Sequence, residues 1–336
     1  MVTTLENDFA VDERRGVNPA LPPLDSYWKP QPETSRERIK LQLLHQISSF
    51  AGLMRPVIGR LAKSSVSVLT YHRIASTYQD TPFPTINVTP ERFRKQLVGL
   101  KQAGFRFQSL SSVLDACENG TQETLPERTV VVTFDDIYDN VYQNAWPVLQ
   151  ELEIPVTFFV STAFIDSTEP FLFDPWAMTH RYRYQVPREA WLPITDAHLR
   201  TMLNSGMAEL GAHTDTHQDF RNRPQAFAAD LAIGVQKLSE RYGVKELPFA
   251  FPYGIPRIGF TSEALMDVTK NLGLRCGLTT GAHTNSTSAS PFGWGRFHVF
   301  QHDTPRSLAA KIDGWYEWLP KIKNLLTRKQ RLEIAE

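Results

Sequence analysis

Arg128-Thr129-Val130-Val131-Val132-Thr133-Phe134-Asp135-Asp136 is an apolar, strand-like run that stops on two adjacent carboxylates. Two later stretches repeat the arrangement. Ala208-Glu209-Leu210-Gly211 leads into His213-Thr214-Asp215-Thr216-His217, and Leu247-Pro248-Phe249-Ala250 leads into Phe251-Pro252-Tyr253-Gly254. A carboxylate pair and a His-x-x-x-His pair, both where strands give out, are the parts of an open metal site that carries its own base. The chain reads as a metal-dependent hydrolase.

Outward from these stretches, strands alternate with helices. The pattern predicts strands at 66–71, 129–134, 156–160, 208–212, 248–251, 275–279 and 296–300. Helices are expected between them at 90–103, 110–118, 139–152, 196–205, 224–242 and 262–272. Pro90 and Pro224 are placed to open their helices, and Gly104, Gly206, Gly243 and Gly273 to close theirs. Repeated strand–helix units imply an α/β fold on a parallel sheet, either doubly wound or closed as a barrel. In both, ligands bind at the carboxyl ends of the strands, where all three motifs fall.

Composition narrows the function classes. Of 336 residues, 36 are Lys or Arg and 36 are Asp or Glu, so the formal charge is zero. No global basic field is present to hold a phosphate backbone, which argues against nucleic acid as a partner. Cys117 and Cys276 make no disulfide framework and lack metal-site spacing, so both read as small buried apolar residues. The acidic start Met1-Val2-Thr3-Thr4-Leu5-Glu6-Asn7-Asp8 has no apolar core segment, so no secretory signal is expected, and a cytoplasmic protein is.

Four segments divide the chain. Residues 1–34, rich in proline, are expected to be a poorly ordered leader. Residues 35–63 place Ile39, Leu43, Ile47, Phe50 and Met54 on one helical face. That extension either packs on the catalytic domain or, with Lys40, Arg55, Arg60 and Lys63, rests on the inner membrane face. A catalytic domain spans 64–303, and 304–336 forms a docked helix burying Leu308, Ile312, Trp315 and Leu319. Within the domain, 166–193 breaks the rhythm with Phe171, Phe173, Trp176, Tyr182, Tyr184 and Trp191. It is either an aromatic plug or a rim offering aromatic faces to sugar rings.

The chemistry follows from residue types. A lone Asp-Asp is usually a turn or cap, and a lone His-x-x-x-His is usually no metal pair. Joined, in this order and at strand ends, they are hard to read otherwise. Zinc takes two histidines and a carboxylate and leaves a fourth position open, so Asp136 is the natural third ligand beside His213 and His217. Successive residues at a strand end point in different directions, which leaves Asp135 for the proton of an attacking water. His72 ends the first strand, and either supports the site or touches substrate. Asp215 and Asp219 are placed to fix an imidazole through its second nitrogen. Tyr138 and Trp176 are candidates either to stack a sugar ring or to serve as plain packing.

Between about Val66 and Val299 the sequence resembles the polysaccharide deacetylases, the NodB-homology domain of carbohydrate esterase family 4. Thr133-Phe134-Asp135-Asp136 matches its first motif, His213-Thr214-x-x-His217 its second, and Phe249-Ala250-Phe251-Pro252-Tyr253-Gly254 its third. Leu69-Thr70-Tyr71-His72-Arg73-Ile74 and Ile154-Pro155-Val156-Thr157-Phe158-Phe159-Val160 are softer matches. The resemblance implies a distorted barrel of about seven strand–helix units and removal of acetyl from a sugar. It further implies a divalent ion, zinc first, on Asp136, His213 and His217, with Asp135 as base. The backbone N–H of Tyr253, beside Pro252, would face the acetyl oxygen, and a histidine would protonate the leaving amine.

Three departures stand out. Ile137 occupies the family's glycine position, so the turn is expected to avoid positive φ and to put an apolar branch at the site. Ala250 occupies the place of an arginine that orients the base, and Arg296 is the candidate replacement. The closing L-x-H motif has no clean match, leaving His298 and His302 as candidates, with His283 less favoured. The expected activity is release of acetyl, N-linked first, from a sugar, glycan or glycan precursor. A silent glycan-binding homologue and a small-molecule amidohydrolase are the alternatives.

Overall fold

The structure is a computed structural model that describes residues 65–78, 81, 86–171, 173, 174, 176 and 185–314. The leader at 1–34, the helical extension at 35–63 and the chain beyond Gly314 lie outside the described residues. Among the described residues, no helix is long and apolar enough to cross a membrane.

The expected alternation is present. The strands are β1 (Ser65–Tyr71), β2 (Arg73–Ile74), β3 (Asn87–Val88), β4 (Arg106–Phe107), β5 (Thr129–Asp135), β6 (Val156–Val160), β7 (Ala208–Ala212), β8 (Asn285–Ser286) and β9 (Phe297–His298). The helices are α1 (Pro90–Gln102), α2 (Leu110–Glu118), α3 (Trp146–Glu151), α4 (Asp196–Leu203), α5 (Pro224–Tyr242), α6 (Glu263–Asn271) and α7 (Pro305–Ile312). The principal sheet runs β7-β6-β5-β1-β8, with β4 also on β5 and β9 also on β1. All of these pairings are parallel except β1 with β8. The register sets Tyr71 beside Phe134, Asp135 beside Phe159, Val160 beside Ala212, and Thr70 beside His298. Five strands thus deliver their carboxyl ends to one rim.

Period-2 alternation gives the sheet two different faces. Val130, Val132 and Phe134 of β5 join Leu69, Tyr71, Val156, Phe158 and Leu210 in the main core under the helices. Val131 faces the other way, with Val66, Val68, Phe159, Ala250, Cys276, Leu278 and Trp294. Both faces are covered, as parallel sheets require. Asp135 shares the parity of Val131, so the run that opened the sequence analysis aims its last carboxylate into the enclosed face. Gly211 answers the same constraint from β7, where a Cβ would lie 2.4 Å from the Phe159 ring.

Several expected elements are shorter or irregular. The stretches 248–251 and 275–279 are not regular strands; they pair through single bridges, Ala212 with Phe249 and Ala250 with Leu278. Pro248 and Pro252 have no N–H to give a ladder. Backbone hydrogen bonds still carry the sheet onward, from Ala250 N to Ala212 O (3.1 Å), Leu278 N to Phe249 O (2.8 Å) and Thr279 N to Trp294 O (2.7 Å). Of 296–300 only Phe297 and His298 pair. The helix expected at 139–152 begins as a π-helical turn, Val141–Ala145, before α3. Pro147 cannot donate in the α pattern, which breaks the helix there. Cys276 is buried as expected, but Cys117 is only partly so.

Candidate metal centre and active site

Asp135 leaves β5 on the enclosed face and meets Arg296 head on. The guanidinium forms a fork on the carboxylate, Nη1 to Oδ1 at 2.6 Å and Nη2 to Oδ2 at 2.7 Å. Arg296 also donates to Thr279 O, Thr70 Oγ1 and Thr133 Oγ1, at 3.2, 3.3 and 3.4 Å. Burial alone would raise the Asp135 carboxyl, but Arg296 first, then His213 and His72, hold it well below the usual carboxylate range. The Asp135 carboxylate is therefore ionised and fixed in direction. The arginine missing from the third motif is supplied from the far end of the chain.

Asp136 turns the other way because its φ is +65°. Its Oδ1 lies 3.2 Å from His217 Nε2 and 3.6 Å from His213 Nε2. The ligand atoms of the three residues all lie within 4.8 Å of one another, and all three residues are buried. Asp136 Oδ1 has no hydrogen-bond partner, an expensive state for a buried carboxylate oxygen. His213 Nδ1 donates to Ala250 O at 2.7 Å, which turns the lone pair of Nε2 toward Asp136. Burial pushes the His213 imidazole down to about 4, so it is neutral, as a metal ligand must be. Two imidazoles and an orphaned carboxylate oxygen fit a divalent ion of the zinc type.

The His-x-x-x-His pair converges without a helix. Thr214 and His217 both have left-handed φ, +67° and +53°. Asp230 of α5 accepts from Asp215 N (2.7 Å), Thr216 N (3.2 Å) and Thr216 Oγ1 (2.5 Å), pinning the loop. α5 comes close enough to do so because residue 234 is glycine; a Cβ there would be 3.0 Å from the Thr214 carbonyl carbon. Asp215 and Asp219 do not hold an imidazole. Asp215 pairs with Lys237 and Thr162, and Asp219 with Arg221. The carbonyl of Ala250 does that work for His213.

The turn after the aspartates overturns one expectation. Ile137 adopts φ +60° directly after Asp136, so the glycine-like geometry is kept without glycine. A β-branched residue there stores about 1–2 kcal/mol of strain. Ile137 does not border the site, since its side chain is fully buried in the main core. Backbone bonds Ile137 N to Asp135 O (2.7 Å) and Ile194 N to Ile137 O (2.9 Å) hold the turn. Left-handed residues gather at this rim, Tyr253 (+60°) among them.

The remaining candidates separate clearly. His72, at the end of β1, has Nε2 4.0 Å from Asp135 Oδ2. Its ring stacks on His298 at 5.5 Å. Burial lowers the basicity of both imidazoles, that of His298 down to about 3. His302 is exposed on Phe300 and is not brought to the aspartates. Tyr253 lays its ring against His217 at 4.8 Å, beside buried Pro252. Tyr138 and Trp176 are both fully buried and stack on the Arg73 guanidinium, at 4.2 and 4.5 Å, so neither offers a face to a sugar. Sequence reasoning missed Arg73, Asp174 and Asp230. No local pattern marks them, because their partners lie far along the chain or across the fold.

Comparison with known proteins agrees with this geometry. Residues 122–277 match the sequence model described as polysaccharide deacetylase. The poly-beta-1,6-N-acetyl-D-glucosamine N-deacetylase of Staphylococcus epidermidis is 25% identical over 274 residues, 76% of this chain and 86% of that protein. Its counterpart in Staphylococcus aureus is 23% identical over 76% of this chain and 85% of its own. IcaB from Ammonifex degensii superposes with a TM-score of 0.60 at 27% identity, covering 75% of this chain and 98% of that one. The Streptococcus pyogenes deacetylase PplD, solved with acetate, gives a TM-score of 0.59 at 20% identity, over 74% and 98%. The matched stretch contains both aspartates and both histidines, which the structure sets on one rim of a parallel α/β fold, and in sequence and fold the chain is similar to polysaccharide deacetylases.

Proposed function

We propose that this protein is a metal-dependent hydrolase that removes N-acetyl from an amino-sugar-containing glycan. The observation that carries the reading is the division of labour between adjacent carboxylates. Asp136 joins His213 and His217, while Asp135 is withheld from them by the Arg296 fork.

Asp136, His213 and His217 would hold the ion, zinc being the first candidate for such a donor set. A divalent ion there supplies Lewis acidity, polarising the acetyl carbonyl and acidifying water. Asp135, kept ionised by Arg296, accepts the proton of the attacking water. The backbone N–H of Tyr253 donates to the acetyl oxygen as charge develops on it. His72, its Nε2 4.0 Å from Asp135 Oδ2, would take that proton over from Asp135 and pass it to the departing nitrogen, with His298 stacked behind it. Water is consumed, the C–N bond breaks, and acetate and a free amine leave.

The substrate class is supported by the two staphylococcal relatives, both poly-beta-1,6-N-acetyl-D-glucosamine N-deacetylases. The test is acetate release from β-1,6-linked N-acetylglucosamine oligomers, with metal content measured in parallel. Stripping the ion with a chelator should abolish release, and zinc should restore it. Release that persists once the ion is verifiably gone would refute the mechanism. An intact, metal-loaded protein that frees no acetate from any acetylated glycan would make it a silent homologue.

A further inference from the structure

His217 and Tyr253 sit on two loops that meet through side chains. Tyr253 sets its ring against that of His217, 4.8 Å away at 70°, and its hydroxyl donates to His217 O at 3.5 Å. The Tyr253 ring also packs on Phe260 at 4.8 Å. Phe260 in turn lies under the Arg221 guanidinium, whose Cζ is 4.4 Å from the ring centroid. Arg221 belongs to the loop that carries His217. The contacts therefore close into a circuit that starts and ends on the histidine loop.

Asp219 aims the cation in that circuit. Arg221 Nε donates to Asp219 Oδ1 at 2.9 Å and to Oδ2 at 3.0 Å, and Nη2 donates to Oδ2 at 2.5 Å. Arg221 is 5% exposed and Phe260 3%, so neither is a surface contact. The carboxylate two residues away already answers the charge of Arg221. The stack on Phe260 is an additional tie, made with the flat face that a guanidinium has and an ammonium lacks.

The Tyr253 loop needs such a tie. Tyr253 and Gly254 both have left-handed φ, +60° and +58°. A tyrosine there costs about 1–2 kcal/mol and persists only where its surroundings over-determine it. Gly254 O accepts from Thr280 N at 2.7 Å, which holds the turn from one side. Arg221 and Phe260 hold it from the other.

We propose that Arg221, acting through Phe260, is a positioning residue that keeps the backbone N–H of Tyr253 where charge develops on the acetyl oxygen. The inference rests on the deacetylase reading and adds a brace to its oxyanion donor. A displaced donor weakens an interaction made chiefly in the transition state, so turnover falls while substrate binding is kept.

The experiment compares wild type with Arg221→Met, Arg221→Lys, Phe260→Leu and the double variant Arg221→Met with Phe260→Leu. Acetate release from β-1,6-linked N-acetylglucosamine oligomers gives kcat and KM, and metal content is measured alongside. Arg221→Met should lower kcat about 10- to 100-fold with KM and metal content unchanged, less than complete loss of an oxyanion donor. Arg221→Lys should recover part of that loss. The double variant should be no slower than the poorer single variant, because both changes cut one connection. Amide hydrogen exchange over 253–260 should quicken about 5- to 10-fold in Arg221→Met, with exchange in β5 unchanged. A wild-type kcat in Arg221→Met, a loss of metal, losses that multiply in the double variant, or unaltered exchange over 253–260 would each overturn the proposal. Should Arg221→Met fail to fold, Arg221→Lys and Phe260→Leu carry the same test, and a wild-type kcat in both overturns it. Wild type is assayed first: no acetate from it defeats the parent reading, whereas active wild type with unaffected variants defeats this inference alone.

Discussion

Asp135→Asn removes one charge from the buried fork and leaves the Arg296 guanidinium facing an amide. Both fork bonds are short and neither side chain is exposed, Arg296 at 0% and Asp135 at 3%. The amide oxygen still accepts one Nη, but the amide nitrogen now points a donor at the other. Thr279 O and the hydroxyls of Thr70 and Thr133 do not neutralise the charge. Stranding one member of a buried pair costs about 3–5 kcal/mol. For a domain of this size that corresponds to a fall of roughly 6–20 °C in Tm. The pH dependence has a definite sign. Because the folded Asp135 carboxyl is depressed, its stabilisation is present above the unfolded carboxylate value near 4 and is lost as pH falls below it. Wild type and variant should differ at pH 7 and converge in acid. Turnover should fall about 100-fold or more at equal metal occupancy, the scale of a lost general base. The assays are urea melts across pH, metal analysis and acetate release. Equal stability at pH 7, or loss of metal in place of turnover, would refute the assignment of the fork to the base. The double variant Asp135→Leu with Arg296→Met should regain most of the lost stability while staying inactive.

Three other substitutions probe separate parts of the site. His72→Gln should lower kcat by about 100-fold or more with metal content intact, whereas His298→Gln should cost less; the reverse order in acetate-release kinetics would move the proton donor to His298. Asp230→Asn loosens the loop carrying both histidines and should weaken metal affinity about 10- to 100-fold, read by competition with a chromogenic chelator. Ile137→Ala and Ile137→Gly each lose about 2–5 kcal/mol of buried contact, but only glycine relieves the left-handed turn. The Gly variant should therefore be more stable than the Ala variant by about 1–2 kcal/mol in urea titrations, and the opposite order would deny the strain.

The legible and illegible parts of the site differ in kind. Asp135, Asp136, His213 and His217 could be found because each closes a periodic strand, and a parallel sheet sends such ends to one rim. Arg296 was a candidate by residue type and placement alone, and Thr70 beside His298 in the β1–β9 register explains why it reaches Asp135. For Tyr138 and Trp176 the choice between sugar stacking and packing was not legible, because an aromatic residue outside a regular element looks the same whether it faces solvent or a buried guanidinium. Ile137 was misjudged because sterics argue against a β-branched residue at positive φ, and the compensating burial is a property of the packed core.

Local periodicity and motif chemistry by themselves determined the alternating fold, the rim that carries the chemistry, and the four residues at its centre. Those follow from interactions between near neighbours in the chain. Only the tertiary structure decided which cation faces Asp135, what pins the histidine loop, and which aromatic rings enclose a buried guanidinium. Each of those depends on contacts between segments far apart in sequence, such as Arg296 with Asp135 and Arg73 with Asp174, and no local pattern encodes such a pairing.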